Sequence, residues 1–567
     1  MKQGFKVVLA LGSLTGLAGF GGMAVAQTAP PDAGSLLQRM ERDRLPALPR
    51  LQAPQAPVPP PVQAQPGVMV TAQAFQFVGN TLLGAEQLAP AVAPFLNRPL
   101  DFVQLQAAAA AAAAAYREAG WVVRAYLPKQ EITDGIVTIE IVEAVFGKAI
   151  LEGDAPLRLK FDVAQSIVGA QQTPGQPLNA NAVDRALLLI DDLPGVSTVG
   201  SLVEGTRDGE TDLVLKFANE PLRMSQVTLD NTGSRSTGDR RLAANLTLNS
   251  ALGLGELISA NLIHTEGSDY YRLAASFPVG ADGWRMGVNA SNMAYRLIAP
   301  EFIALNASGK SISTGFDAHY PIIRTRQKNL YLALAYDRKD FDNQANGGTD
   351  SHYRANAFTL GLNGNTFDSL GGGGANSASL ALVSGSLNLD GSPNQASDAS
   401  GPQAAGHFAK LRYSLSRQQV LGSELALFAA WSGQMASKNL DSSEKFTLGG
   451  ATGVRAYPSG EASGAEGKML NLELRYKLPQ NLTLTGFYDW GQVTVNRNNN
   501  YSGGAALNTY SLQGAGLALA WQSSAGLNVK ATLARRTGSN PNPTATGNDQ
   551  DGSLTKNRFW MSASLPF

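Results

Sequence analysis

Cysteine is absent from the 567 residues, and the four histidines, His264, His319, His352 and His407, are scattered with no ligand-like spacing. Thiol catalysis, disulfides and thiolate metal sites are therefore excluded, and no metal or cofactor is expected. No G-x-S-x-G nucleophile elbow and no G-x-x-x-x-G-K-[ST] phosphate loop occurs. The run Gly371 to Gly374 in SLGGGGANS reads as a turn between strands, not as a phosphate cradle. Nothing here assembles a nucleophile, a base and an orienting group, so an enzyme is not expected. What remains is one arginine in an unusual setting. Residues 449–467 read GGATGVRAYPSGEASGAEG, and Arg455 stands in the middle of them. A guanidinium there is either solvated or held by a carboxylate through a planar fork of donors. The elements around it decide which.

Lys+Arg and Asp+Glu balance at 45 each, which argues against a nucleic-acid partner. At the N-terminus Lys2 and Lys6 precede an apolar stretch from Val7 to Phe20, then Ala24-Val25-Ala26, the pattern of a cleaved secretory signal over residues 1–26. Residues 27–45 hold a short amphipathic helix with Leu36, Leu37 and Met40 on one face and charges mostly on another. Residues 46–69 are so rich in proline that they form an extended tether. A helix on such a leash can dock at a distant place and leave it again.

Residues 70–144 read as strand, helix, helix, strand, strand. The second helix, Leu105 to Ala119, carries nine consecutive alanines and stops at Gly120. Residues 145–219 repeat the order, with helices expected over Leu157–Val168 and Asn179–Asp192. From residue 220 to residue 567 helical periodicity disappears. Segments of roughly ten residues alternate in polarity between Gly, Asn, Asp and Ser turns. In 241–250, Leu242, Ala244, Leu246 and Leu248 share one face, and Asn245, Thr247 and Asn249 the other. Apolar-out, polar-in alternation suits a membrane barrel with a wet interior, and closure is how strands satisfy their backbone in lipid. At that segment length the region accommodates about sixteen antiparallel strands. In the final stretch RFWMSASLPF, Phe559, Met561, Ala563, Leu565 and Phe567 point one way. The fold class is an all-β membrane barrel preceded by two α+β units and an N-terminal helix.

Three stretches carry a family resemblance. FQFVGNTLL with YREAGWVVRAYLPKQEITDGIVTIEIVEA resembles the first POTRA domain of the transporter subunit of two-partner secretion, the TpsB family. GGATGVRAYPSGEASGAEG resembles the lumen loop of the wider POTRA-and-barrel superfamily, and LTGFYDWGQV, 484–493, its signature barrel strand. The aromatic end at Phe567 resembles that of bacterial outer-membrane barrels. The resemblance implies POTRA domains at 70–144 and 145–219, a barrel at 220–567, and a loop near 449–467 folded back into the lumen. It implies that Arg455, within Gly449, Gly450, Val454, Arg455, Ala456 and Tyr457, meets Asp489 on the wall, with Phe487 and Gly491 in the same strand motif. One departure stands out. The family usually has glycine where this chain has Ala456, and alanine is strained there if the backbone takes positive φ.

The implied function is capture of an unfolded exoprotein in the periplasm and its passage through the barrel to the surface of a Gram-negative bacterium. The implied client is a large β-helical adhesin or haemolysin with an N-terminal secretion domain. Outer-membrane lipid, periplasmic chaperones and the barrel-assembly machinery are the other implied partners. The N-terminal helix would plug the resting lumen. A barrel-assembly insertase is the nearest alternative, and a diffusion porin a more distant one that leaves the two periplasmic units unexplained.

Overall fold

The computed structural model describes residues 30–42 and 69–567; the expected signal segment and all but the last residue of the tether lie outside the described residues. Helix α1 (Ala33–Arg42) is capped by Asp32, whose Oδ1 accepts the Ser35 backbone N–H at 2.9 Å.

The first α+β unit contains β1 (Ala74–Val78), α2 (Ala85–Val92), α3 (Phe102–Glu118), β2 (Val123–Tyr126) and β3 (Ile136–Glu143). Its sheet runs β1-β3-β2, with β1 parallel to β3 and β2 antiparallel. Helix α3 opens on a reciprocal cap. Gln104 N–H donates to Asp101 Oδ1 at 2.7 Å, and Asp101 N–H donates to Gln104 Oε1 at 3.0 Å. Leu105, Ala108, Ala109, Ala112 and Tyr116 recur at helical spacing and are buried, so the alanine run brings the helix backbone close to the sheet.

The second unit contains β4 (Val145–Glu152), α4 (Phe161–Gln171), α5 (Ala180–Asp191), β5 (Val196–Glu204) and β6 (Glu210–Asn219), with sheet order β4-β6-β5. Helix α4 starts at Phe161 rather than Leu157. The intervening residues are taken by tertiary pairing: Lys160 N–H donates to the Gly253 carbonyl at 2.8 Å, and Leu159 bridges to Leu254. The two units are joined by backbone bonds, including Val122 N–H to Leu178 O at 3.1 Å and Ala180 N–H to Gly120 O at 2.7 Å.

Sixteen antiparallel strands then close a barrel. In chain order they are β7 (Arg223–Asp230), β8 (Arg241–Asn249), β9 (Leu257–Thr265), β10 (Ser268–Val279), β11 (Trp284–Arg296), β12 (Ser308–Arg324), β13 (Lys328–Ala345), β14 (Gly348–Asp368), β15 (Gly374–Asn388), β16 (Gly406–Val420), β17 (Leu425–Ala436), β18 (Glu466–Leu478), β19 (Leu482–Thr494), β20 (Thr509–Gln522), β21 (Asn528–Arg536) and β22 (Asn557–Pro566). Several are longer than the ten-residue segments of the sequence pattern: β13 has 18 residues and β14 has 21. The excess is polar, as in DRKDFDNQA of β13, and carries no amphipathic signature. Leu242, Leu246 and Leu248 are exposed on the outer wall, as are Phe559, Met561, Leu565 and Phe567 on the last strand. That band is what lipid covers in a membrane barrel.

Closure is made by β22 against β7 over five residue pairs, from Ser562↔Asp230 to Pro566↔Gln226. At one end Phe567 N–H donates to Ser225 O at 2.9 Å. At the other, beyond Asp230, the Asn231 side chain continues the ladder: its Oδ1 accepts Met561 N–H at 2.7 Å and its Nδ2 donates to Phe559 O at 3.0 Å. The second α+β unit attaches at the end where turns 280–283 and 325–327 lie. Arg324 donates to both oxygens of Asp192 at 2.7 Å, and Arg326 pairs with Asp184 at 2.6 Å. The Gly371 to Gly373 turn lies at this end too, with φ of 59°, 99° and 106°, values that favour glycine.

Candidate functional site

The connection between β17 and β18 does not stay outside the barrel. It folds back into the lumen, and its glycines permit the path. Gly450 has φ +123° and Gly460 φ +92°, while a Cβ on Gly449 would strike the Pro458 carbonyl. Val454, Ala456 and Tyr457 are buried at its turn. Ala456 does not take positive φ, so alanine costs nothing there; the left-handed non-glycine residue of the loop is Ala462, at φ 56°. The Ala456 methyl instead meets the backbone of Gly514 on β20, where any Cβ would collide with it. Gly514→Ala is expected to push the loop off the wall at a cost of about 1–3 kcal/mol. Adding Ala456→Gly should restore it, read as recovery of thermal stability in detergent.

Arg455 is 5% exposed and Asp489, on β19, is 0% exposed. Arg455 Nε donates to Asp489 Oδ2 at 2.9 Å, Nη2 to Oδ1 at 2.7 Å, and the backbone N–H to Oδ2 at 3.0 Å. Asn471 Nδ2 supplies a fourth donor to Oδ1 at 2.8 Å, so every acceptor site of the carboxylate is used. Arg455 Nη1 reaches Glu473 Oε1 at 2.8 Å, and Arg475 pairs with Glu473 at 2.6 Å, which balances the charges two against two. The Phe487 ring lies 3.6 Å below the guanidinium carbon. The Arg455 carbonyl accepts Trp560 Nε1–H of β22 at 2.8 Å. Gly491 faces the same way as Asp489, and a Cβ there would collide with Leu448 of the loop.

Tyr457 turns away from this pair and lies under Arg536, 4.5 Å from ring centre to guanidinium carbon. Arg536 donates to Asp549 Oδ1 at 3.0 Å, and Arg558 reaches Asp549 at 3.1 Å. Asn540 bridges Asp549, at 3.0 Å, to Glu461 of the lumen loop, at 2.7 Å. Burial pushes the Glu461 carboxyl up to about 7, against donors from Gln550 N–H and Asn540 and helped by nearby Asp549 and Asp551. The folded loop therefore holds its proton longer than an unfolded chain does. Its anchorage is full below the usual carboxyl range and is lost as pH rises to about 7, a change of about 3 kcal/mol. Melting in detergent should fall over that interval, and Glu461→Gln should flatten the profile.

The second feature of the lumen is α1. Its buried face, Ala33, Leu36, Leu37 and Met40, packs on a wall that includes Tyr270, Met293, Tyr295, Phe341, Tyr353 and Leu387. Its flanks touch the lumen loop. Ser442 Oγ donates to Asp32 at 2.7 Å, Arg42 Nη1 to Thr447 O at 3.2 Å, and Gln38 Nε2 to Lys445 O. Glu41 pairs with Lys339 at 3.7 Å, and Lys339 with Glu444 at 3.4 Å. The helix is thus packed inside the barrel, between the wall and the connection that carries the lumen loop.

Residues 209–520 match the family described as haemolysin secretion/activation protein ShlB/FhaC/HecB, and residues 70–144 match the POTRA domain of ShlB type. The chain belongs to this family. It is an outer-membrane transporter of two-partner secretion, with periplasmic POTRA domains and a secreted exoprotein as partner. The family is made of transporters, which points away from an enzymatic role. The heme/hemopexin transporter protein HuxB of Haemophilus influenzae is 25% identical over 581 residues, covering 100% of each chain. The outer membrane transporter CdiB of Dickeya dadantii is 24% identical over 449 residues, covering 75% of this chain and 77% of its own. The solved structure of CdiB from Escherichia coli shares the fold, with a TM-score of 0.72 at 19% identity over 95% of this chain and 100% of that one.

In this transporter the lumen loop, Arg455, Phe487, Asp489 and Gly491 lie together, and Leu36, Leu37 and Met40 share the buried face of α1. Phe567 lies apart, exposed at the seam. The sequence reading missed Asn471, Glu473 and Arg475, although they alternate on the polar face of MLNLELRYKL. It missed Trp560, which faces inward by the same parity that turns Phe559 and Met561 outward. The Glu461–Asn540–Asp549–Arg536 cluster comes from separate loops and a strand, and no spacing announces it. Three histidines sit beside single aspartates: His264–Asp269 at 2.7 Å, His319–Asp317 at 3.2 Å and His352–Asp342 at 3.7 Å. Among the described residues no group of His, Cys, Asp and Glu could hold a metal ion.

Proposed function

We propose that α1 is the resting plug of the pore, that the Arg455–Asp489 pair holds the lumen loop in its working position, and that the POTRA sheets capture the exoprotein by strand addition. The observation that carries this reading is the amphipathic helix seated in the lumen of a closed barrel and bonded to the lumen loop. The capture edge we favour is β5. It is the outer strand of its sheet, and Val199, Leu202 and Val203 are exposed along it. Main-chain hydrogen bonds at such an edge tolerate a client whose sequence varies along its length. The client is a long exoprotein of β-helical adhesin or haemolysin type, kept unfolded by periplasmic chaperones. Folding outside then drives export, since a folded segment cannot slip back. The barrel-assembly machinery inserts the transporter itself.

The test compares the surface and medium proteins of the parent strain with those of a strain lacking this chain, by mass spectrometry. Loss of one large exoprotein with other barrels unchanged is expected. A general fall in outer-membrane barrels would overturn the reading in favour of an insertase.

A further inference from the structure

The wall that α1 covers differs from the charged part of the lumen. Apolar inward residues away from α1, such as Phe487 and Leu512, are covered by the lumen loop. Other inward positions carry charges and amides, such as Arg412, Gln434 and Glu473. Beneath α1 they carry Tyr270, Met293, Tyr295, Phe341 and Tyr353, with the Phe341 and Tyr353 rings stacked 4.9 Å apart. A contiguous apolar patch in a water-filled channel is unfavourable unless something covers it. Withdrawal of α1 uncovers it at the moment an unfolded chain enters.

The manner in which α1 is held points the same way. Three of its directional contacts run to the lumen loop, at Asp32, Gln38 and Arg42. Arg39 Nη1 donates to Ser234 Oγ at 3.2 Å, and on the wall side the Ala33 N–H bond to Asn343 Oδ1, 2.9 Å, and the Glu41–Lys339 pair flank a contact that is otherwise side-chain packing. Apolar packing is non-directional and does not read sequence. Next to the aromatic residues stand three buried serines, Ser268 on β10, Ser291 on β11 and Ser311 on β12. Ser268 and Ser291 each lie two positions before a seat residue, Tyr270 and Met293, and Ser311 is the cross-strand partner of Met293. Among the described residues their hydroxyls have no hydrogen-bond partner. A peptide backbone passing over the seat would offer the groups they lack.

We infer that this seat is the surface over which the exported polypeptide slides in extended form, and that α1 rests on it as a stand-in for that polypeptide. The inference deepens the proposed function and rests on its lumenal route. Aromatic and apolar side chains of the client occupy the places of Leu36, Leu37 and Met40, and the seat serine hydroxyls bond its backbone in passing.

The test uses the full-length transporter in cells, with the exoprotein identified by the strain comparison as probe. The exoprotein is stalled by a tightly folded domain fused to its C-terminus. The photo-crosslinking residue p-benzoylphenylalanine is placed at position 341, at position 353, and at position 428, a lumen position on β17 outside the seat. Crosslinks to the stalled exoprotein at 341 and 353 are expected. Crosslinks at 428 alone would overturn the seat as the track and leave the lumenal route standing. No crosslink at any of the three would overturn the route and the inference together. A second arm measures Phe341→Gln with Tyr353→Gln. The expected result is higher channel conductance and several-fold lower secretion. Higher conductance with unchanged secretion would mean the seat serves the plug alone.

Discussion

Replacing Asp489 with alanine is expected to abolish secretion while leaving a closed barrel in the membrane. The carboxylate takes four hydrogen bonds, three from Arg455 and one from Asn471, and is fully buried. Its removal strands a guanidinium whose remaining carboxylate is Glu473, itself shared with Arg475. Breaking a buried pair from one side costs about 3–5 kcal/mol, because the remaining charge has lost both its solvent and its partner. The loop has an inexpensive way out, which is to leave the wall and hydrate Arg455. The strands of the barrel keep their own ladder and have no such need. The expected phenotype is therefore loss of transport, with heat-modifiable gel mobility intact. Because the chain has no cysteine, a single Ser459→Cys gives a unique reporter of loop position. Its labelling by an impermeant maleimide should rise in the Asp489→Ala background. Arg455→Lys should also fail, since an ammonium cannot reach both carboxylate oxygens and Glu473 in one plane. The double variant Arg455→Ala/Asp489→Ala should lose less than the sum of the single losses. Normal secretion by Asp489→Ala would remove the pair from the mechanism.

Deleting Ala33–Arg42 is expected to raise single-channel conductance in planar bilayers severalfold. A helix with its side chains is about 10–12 Å across, so its departure frees a passage of that order. The helix is held by four buried apolar residues and a few flanking bonds, which is weak enough to be reversible. Leu37→Asp should open the pore without a deletion, because the side chain is 1% exposed and its charge would have no partner in the seat. Conductance equal to the parent in both variants would rule out a plug.

The parts of this molecule legible in its sequence are those where one physical rule acts alone. Lipid on one side and water on the other force a period of two, and that period is plain in RLAANLTLNS. The alanine run of α3 acts locally, so the helix could be read, though it starts on the Asp101 cap at Phe102 and not at the expected Leu105. Arg455 and Asp489 could be paired because glycine-rich context and strand motif both resemble a known family. The start of α4 could not be read, because Leu159 and Lys160 are claimed by a barrel turn nearly a hundred residues away. The polar extensions of β13 and β14 lie where no lipid imposes a pattern. Trp560 and Glu473 sat on visible inward faces, but parity gives a direction and not a partner. Asp549 meets Glu461 through Asn540 only because two loops fall into the same lumen.

The barrel is a hoop with one weak joint. Five residue pairs join β22 to β7, against eight where β7 meets β8, and one end of the joint is finished by the side chain of Asn231. The lumen loop fastens to both edges of that joint. Ser459 Oγ donates to Thr232 O at 2.9 Å on the first-strand side, and Trp560 donates to Arg455 O at 2.8 Å on the last-strand side. The loop thus works as a clasp from within, tied to both edges of the joint and, through Arg455, to the wall at Asp489. A bulky segment of cargo that dislodges the loop would also slacken the hoop around itself.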